Sequence, residues 1–328
     1  MADKLLVSSS PHIHIEKKES ISSIMWTVNA ALLPAGLVGI YIFGLFSLWL
    51  ILVSVVTAVA TEAIIQKARI QKVTISDGSA FMTGLLLAYN LPPHAPLWLG
   101  VIGTFFAVAI AKQAFGGLGR NIFNPALAGR AFLVAAWPKF MTTFTKPFVY
   151  DTVTQATPLS MIKEAKASSL VDMGLSYWDL FLGNRGGSLG EVCILVLVLG
   201  GLYLLYRQII TWHIPVSFIL TVGIFTWIFG SREGFFKGDA LFHILSGGLV
   251  LGAVYMATDY VTSPITKAGQ LIFGVCCGLL TSVIRIWGGY PEGVCYAILI
   301  MNAAVPLIDR FVQRRRYGMV KLPKEGSS

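Results

Sequence analysis

The chain has 328 residues, of which 55% are hydrophobic and only 12% charged, and its mean hydropathy is +0.72. A soluble globular domain does not reach that balance, so the protein is embedded in a lipid bilayer. The net charge of +9 is spread over short Lys and Arg clusters between apolar runs, which excludes a basic domain for nucleic acid.

Residues 1–22 are polar and carry Lys4, Lys17 and Lys18 without an apolar core. No cleavable signal peptide is expected there, and the first span directs insertion. With about 20 apolar residues per helical crossing, ten spans are predicted. They are Ser23–Phe43, Phe46–Ile65, Ser79–Leu91, Leu97–Phe115, Phe123–Trp137, Leu189–Tyr206, Pro215–Phe229, Leu241–Thr258, Gly269–Ile286 and Gly293–Ile308. The third and fifth fall short of a full crossing.

The chain therefore divides into a cytoplasmic segment 1–22, a five-helix membrane half 23–137, a polar loop 138–188, a second five-helix half 189–309 and a basic tail 310–328. Positive charge decides the orientation. Lys67, Arg69, Lys72, Lys112, Arg120, Arg207, Lys267 and Arg310 share one side with both termini, while most of the opposing Lys and Arg lie in the single long loop, which counts little. Both termini are expected in the cytoplasm and the loop outside it.

An internal repeat is visible. Phe81-Met82-Thr83-Gly84-Leu85 returns as Ile244-Leu245-Ser246-Gly247-Gly248, and Gly116-Gly117 as Gly288-Gly289. The offset is five spans, an odd number, so the second copy crosses in the opposite sense. Inverted repeats of this kind place binding sites near the midplane.

Side-chain catalysis has no motif here: there is no nucleotide-binding glycine loop, hydrolase triad or zinc spacing, and the five histidines are scattered. The four cysteines, Cys193, Cys276, Cys277 and Cys295, lie in apolar runs without a C-x-x-C spacing and read as small core residues. No catalytic residue and no dedicated metal ligand set is assigned.

The loop carries the chemistry. Asp151-Thr152-Val153-Thr154-Gln155-Ala156-Thr157 closely resembles D-x-x-[ST]-G-A-[ST], the sequence at which a flavin transferase esterifies FMN to a threonine. The acceptor would be Thr157, with Asp151, Thr154 and Ala156 as the rest of the motif. Thr157 precedes Pro158, which pushes it towards extended backbone, and Gln155 replaces the usual glycine.

Three further segments extend the likeness. Gly116-Gly117-Leu118-Gly119-Arg120-Asn121-Ile122-Phe123-Asn124-Pro125-Ala126, Met256-Ala257-Thr258-Asp259-Tyr260-Val261-Thr262-Ser263-Pro264-Ile265-Thr266 and Ser9-Ser10-Pro11-His12-Ile13 resemble signature segments of the NqrB/RnfD family. The resemblance runs over nearly the whole chain, and its length is similar to the RnfD branch rather than to the longer NqrB branch.

The resemblance implies an all-α polytopic flavoprotein of about ten transmembrane helices, with an inverted repeat similar to urea and ammonium transporters. It implies a component of the Rnf complex, passing electrons between reduced ferredoxin and NAD⁺ with Na⁺ or H⁺ translocation across the bacterial or archaeal cytoplasmic membrane. Implied partners are the A, B, C, E and G components of that complex, above all the other one carrying covalent FMN, together with the flavin transferase during maturation. No activity is expected from the isolated chain. Covalent FMN on Thr157 and a non-covalent riboflavin in the membrane half are the implied cofactors.

Arg120, Asn121, Asn124 and Arg130 suit that second flavin, the amides facing its hydrogen-bonding edge and an arginine its reduced form. The same Asn124-Pro125 step also reads as an N-cap followed by proline in the first turn. Asp259 and Thr262, beside Ser263 and Pro264, offer oxygens for Na⁺, although helix capping by Asp, Thr and Ser is the first explanation of such a set. Two other functions share these features: a quinone-reducing component of the NqrB type, and a flavin-free solute channel of the same fold.

Overall fold

A computed structural model describes residues 20–70, 72–148, 154–164, 173–231 and 234–312 of the chain. It is mostly helical, and among the described residues the one sheet is a two-stranded ribbon. Four helices are long and apolar enough to cross a membrane: α1 (Ile21–Phe43), α2 (Leu45–Ala68), α13 (Lys267–Ile286) and α14 (Val294–Phe311). Shorter apolar helices lie where further spans are expected: α3 (Ser79–Tyr89), α4 (Leu97–Gln113), α5 (Pro125–Ala136), α9 (Ile194–Tyr206) and α10 (His213–Phe229).

Between the two sets, α6 (Pro138–Thr142), β1 (Phe144–Thr145), β2 (Thr154–Gln155), α7 (Pro158–Lys163) and α8 (Tyr177–Leu182) fold the loop into a cap over one end of the bundle. The remaining predicted span is broken into α11 (Ala240–Leu245) and α12 (Leu249–Leu251), the latter running on as π-helix through Gly252–Met256.

The departures from the predicted spans have local causes. α9 begins at Ile194 rather than Leu189, because the Leu189 and Gly190 N–H groups donate to the carbonyls of Leu91 and Tyr89, both at 3.0 Å. Those residues run along the end of α3 and are lost to the helix. The break after Leu245 has a partner of its own: Arg285 of α13 donates to the freed carbonyls of His243 (2.5 Å) and Ser246 (3.1 Å). A guanidinium thus supplies the donors that helix continuation would have supplied, the condition for interrupting a helix away from water. α4 closes as π-helix over Phe106–Gln113 and then reverses through Gly116 (φ 112°) and Gly117 (φ 92°), left-handed positions that favour glycine.

Contacts recur between the halves. Tyr89 of α3 donates from its hydroxyl to Leu32 O of α1 (2.8 Å), and Tyr255, on the π-segment after α12, donates to Leu197 O of α9 (2.9 Å). Each tyrosine is received by a glycine: a Cβ on Gly36 would come within 2.3 Å of the Tyr89 hydroxyl, and one on Gly200 within 2.3 Å of the Tyr255 hydroxyl. Likewise a Cβ on Gly100 of α4 would meet Ser54 Oγ of α2, and one on Gly274 of α13 would meet Ser217 Oγ of α10. Lys112, near the end of α4, reaches Ser79 at the start of α3, as Arg285 reaches the start of the broken span.

Gly36→Ala and Gly200→Ala are each expected to lower stability by about 1–3 kcal/mol through overpacking, read as a fall in melting temperature of the detergent-solubilised protein. Equal losses are the result expected if the two contacts are equivalent.

Candidate functional site

Thr157 is built into the capping loop by its neighbours. The ribbon pairs Phe144 with Gln155 and Thr145 with Thr154 in antiparallel register, and Thr145 Oγ1 lies 3.2 Å from His94 Nδ1 in the turn between α3 and α4. The ribbon is therefore pinned to the bundle just before the acceptor motif leaves it. Thr157 follows with extended backbone (φ −66°, ψ 153°) and caps α7, its Oγ1 accepting from Ser160 N at 3.3 Å and donating to Ser160 Oγ at 3.1 Å. Pro158 in the first turn has no N–H to satisfy, so the helix starts without loss.

The far end of α7 is held as well. Lys163 Nζ donates to Ile284 O (3.2 Å) and Tyr290 O (2.6 Å), carbonyls at and just beyond the end of α13, where a cation is favoured. Burial pulls this ammonium below its ordinary pKa. α8 is tethered in turn by Tyr177, which donates to Asp239 Oδ2 at 2.6 Å, and this bond pushes the phenol up to about 12. Lys163→Met is expected to weaken the docking of α7 by about 1 kcal/mol, after discounting for partial exposure. The measurement is faster hydrogen exchange over 158–163, with unchanged exchange in α10 and α13.

A half-open cavity lies between this cap and the bundle, and Thr157 lines it together with Arg130 of α5, Phe144 of β1, and Tyr290, Glu292 and Tyr296 around the start of α14. Its walls are largely aromatic and aliphatic. Charge enters from one side: Arg130 donates through Nη1 to Asn90 Oδ1 (2.6 Å) and through Nη2 to the Glu292 carboxylate, an ion pair that is nearly buried on both sides. A largely apolar cavity with a guanidinium held at its wall by Glu292 has the lining for an isoalloxazine ring, apolar surface for the ring and a hydrogen-bond donor for its edge.

Of the four residues grouped for a second flavin, only Arg130 lines the Thr157 cavity. Asn124 caps α5, its Oδ1 accepting from Ala126 N (3.1 Å) and Leu127 N (3.3 Å) while its Nδ2 donates to Met256 O (3.2 Å). Asn121 donates locally to Phe123 O (3.1 Å), and Arg120 is exposed beside Gly116. Asp259 and Thr262 do come together: the Thr262 hydroxyl donates to Asp259 Oδ2 (3.2 Å) and Val261 N to Oδ1 (3.4 Å), a cap-like arrangement. Asp259 also borders a second, mostly apolar and half-open cavity between α1 and α9.

Within the acceptor motif, Asp151 lies outside the described residues, Thr154 forms the β2 backbone, and Ala156 is half-buried. Sequence reading missed Glu292 as Arg130's partner, Asn90, and the tyrosines of the cavity. Their only signal was position, a Tyr-Pro-Glu step between two spans. Among the described residues, no cluster of three or more His, Cys, Asp or Glu side chains has metal-binding proximity.

Comparison with known proteins matches residues 6–318 to the NQR2, RnfD, RnfE family. The D component of the proton-translocating ferredoxin:NAD(+) oxidoreductase complex of Clostridium ljungdahlii is 52% identical over 95% of this chain and 96% of its own. The D component of the Na(+)-translocating ferredoxin:NAD(+) oxidoreductase complex of Acetobacterium woodii is 50% identical over 99% and 98%. The D component of the ion-translocating oxidoreductase complex of Stutzerimonas stutzeri is 41% identical over 92% and 93%.

Proposed function

This chain belongs to the NQR2, RnfD, RnfE family, and from that premise we propose that it is the RnfD-type component of an ion-translocating ferredoxin:NAD⁺ oxidoreductase, carrying FMN in phosphoester linkage to Thr157. Identity of 50% or more across nearly the full length of two relatives so named carries the assignment to the complex. Those names speak against both a quinone-reducing partner set and a free-standing solute channel. The remaining components of the complex, the electron-transfer partner that exchanges with this flavin, and the transferase that attaches it are the partners this role requires. One relative is named for protons and the other for Na⁺, so the shared statement is translocation of a monovalent cation.

The position of Thr157 on the wall of a cavity that also holds Arg130 supports the flavin assignment. FMN held there supplies reversible one- and two-electron chemistry. The chain's own residues do the rest. Thr157 Oγ1 furnishes the ester oxygen, and the Arg130–Glu292 ion pair presents a guanidinium at the cavity wall. Phe144, Tyr290 and Tyr296 exclude water and limit ring motion, and Lys163 clamps the segment that bears the threonine. Outside the Thr157 cavity, riboflavin near Asn121 and Asn124 and a Na⁺ position at Asp259 and Thr262 belong to the same reading.

Ten crossings in two inverted halves, with a fold similar to urea and ammonium transporters, are part of the proposal. The matched tyrosine and serine contacts of the two halves support it. So does the division of the chain ends: α7, α8 and the cavity gather where α13 turns into α14, whereas the start of α1 meets the end of α9 at the other cavity. With the termini in the cytoplasm by the distribution of Lys and Arg, the Thr157 cavity faces out. The test is mass spectrometry of the proteolytic peptide spanning Thr157, expected to weigh more than its bare sequence by one esterified FMN. An unmodified peptide from a strain with active transferase sinks the assignment.

A further inference from the structure

Behind the Thr157 cavity lies a buried ionic cluster that the flavin reading does not use. It gathers at the Ser246–Gly248 break between α11 and α12. A Cβ on Gly248 would meet Glu191 Oε2 at 2.6 Å and Arg130 Nη1 at 4.0 Å, and one on Gly247 would meet Leu159 of α7 at 2.8 Å and Arg285 Nη2 at 3.2 Å. Only glycine leaves room for these groups to converge beside the cap that carries Thr157.

Glu191 is the carboxylate of this cluster that forms no direct ion pair, whereas Glu292 pairs with Arg130 and leaves its own Oε1 without a protein donor. Glu191 is 2% exposed, yet among the described residues the ion pairs are Glu62 with Lys112 and Arg130 with Glu292. Its Oε1 accepts from Ser188 N at 3.0 Å, and its Oε2 meets no protein donor. The neighbouring guanidinia are directed elsewhere: Arg130 to Asn90 and Glu292, Arg285 to His243 O and Ser246 O, and Arg185 to the Glu191 carbonyl at 3.3 Å. Arg130, Arg185, Arg285 and Glu292 are the charged groups that face it. His243 and Cys295 stand behind Arg285 and Arg130, and Tyr89 packs on Gly190. A buried carboxylate with one backbone donor is costly as an anion and comfortable as an acid. The free Oε2 is where the proton would sit, and the unpartnered hydroxyls of Ser188 and Ser246, both fully buried, line the surroundings.

We propose that Glu191 is the proton site of the Thr157 cavity: its Oε2 binds one proton when the cavity gains an electron and releases it when the electron leaves. This rests on FMN being esterified to Thr157. In the forward step one electron, delivered by the redox partner within the oxidoreductase complex, adds one negative charge to the cavity. One proton from the adjoining aqueous side bonds to Glu191, so the net charge of flavin plus cluster is unchanged. Oxidation by the next carrier withdraws the electron and returns the proton. Arg130 transmits the charge, since it touches both the cavity and Glu292 and lies beside Glu191.

The experiment is redox-difference infrared spectroscopy of the purified complex, with the flavin of this chain followed by fluorescence of its denatured band. Reduction is expected to raise a protonated-carboxyl C=O band that shifts in D₂O. The band should be lost in Glu191→Gln, with gel fluorescence retained. The midpoint of this flavin should fall with rising pH in the parent complex and become pH-independent in Glu191→Gln. A carboxyl band that persists unchanged in fluorescent Glu191→Gln overturns the proposal while leaving the flavin assignment intact. A parent band without gel fluorescence overturns the flavin assignment instead. Should Glu191→Gln fail to assemble, Gly248→Ala, which places a methyl against Oε2, must shift the band, and an unshifted band is equally fatal.

Discussion

Thr157→Ala is expected to abolish the fluorescence of the denatured polypeptide and the ferredoxin:NAD⁺ activity of the complex together. In the proposed linkage Thr157 Oγ1 is the ester oxygen, so alanine leaves the phosphate nothing to join at this position. The helix it caps would survive, because loss of a capping hydroxyl costs about 1 kcal/mol and α7 remains clamped by Lys163. Assembly should therefore be near normal, separating loss of cofactor from loss of fold. Thr157→Ser should restore attachment, whereas Thr154→Ala, on the paired strand β2, should leave it in place. Fluorescence that survives Thr157→Ala and vanishes in Thr154→Ala would move the acceptor three residues upstream.

The second large effect lies at the opposite end of the bundle. Lys112→Met is expected to destabilise the protein by about 3–5 kcal/mol, the cost of leaving a buried charge without its partner. Glu62 and Lys112 are 1% and 2% exposed and pair at 2.8 Å. The carboxylate also accepts from Gln66 Nε2 (3.2 Å) and Gln113 Nε2 (2.9 Å), and the ammonium donates to Ser79 Oγ (2.7 Å). The pair thus joins α2, the π-turn of α4 and the start of α3. Removing both charges in Glu62→Gln with Lys112→Met should cost less than the single Lys112→Met change, because no uncompensated ion is left. Thermal unfolding in detergent decides this, and a double variant no better than the single would show that the cost comes from lost packing.

Much of this molecule was readable before folding. Long apolar runs show where the apolar helices lie, because side chains that face lipid must be apolar and a backbone in lipid must bond to itself. The candidate acceptor threonine was legible because the motif and the proline after it are contiguous. The errors fall where a backbone group is satisfied by something distant. Leu189 left its helix for carbonyls at the end of α3, and the span after Asp239 broke because Arg285, far along the chain on α13, provides the missing donors. Glu62 is a buried, paired ion within α2 because its partner lies on another helix, which no local pattern shows.

By itself, then, the order of residues determined that this is a membrane-embedded helical protein of a recognisable family, with one polar loop carrying the threonine of an acceptor-like motif. These are properties of composition and of contiguous patterns. Only the tertiary structure decided that Arg130 shares a cavity with Thr157 while Asn124 does not, that Glu292 is its counter-ion, and that Glu191 lies buried among guanidinia without a direct ion pair. Charge placement in a low-dielectric interior depends on distances between residues far apart in the chain, and a linear pattern does not contain those distances.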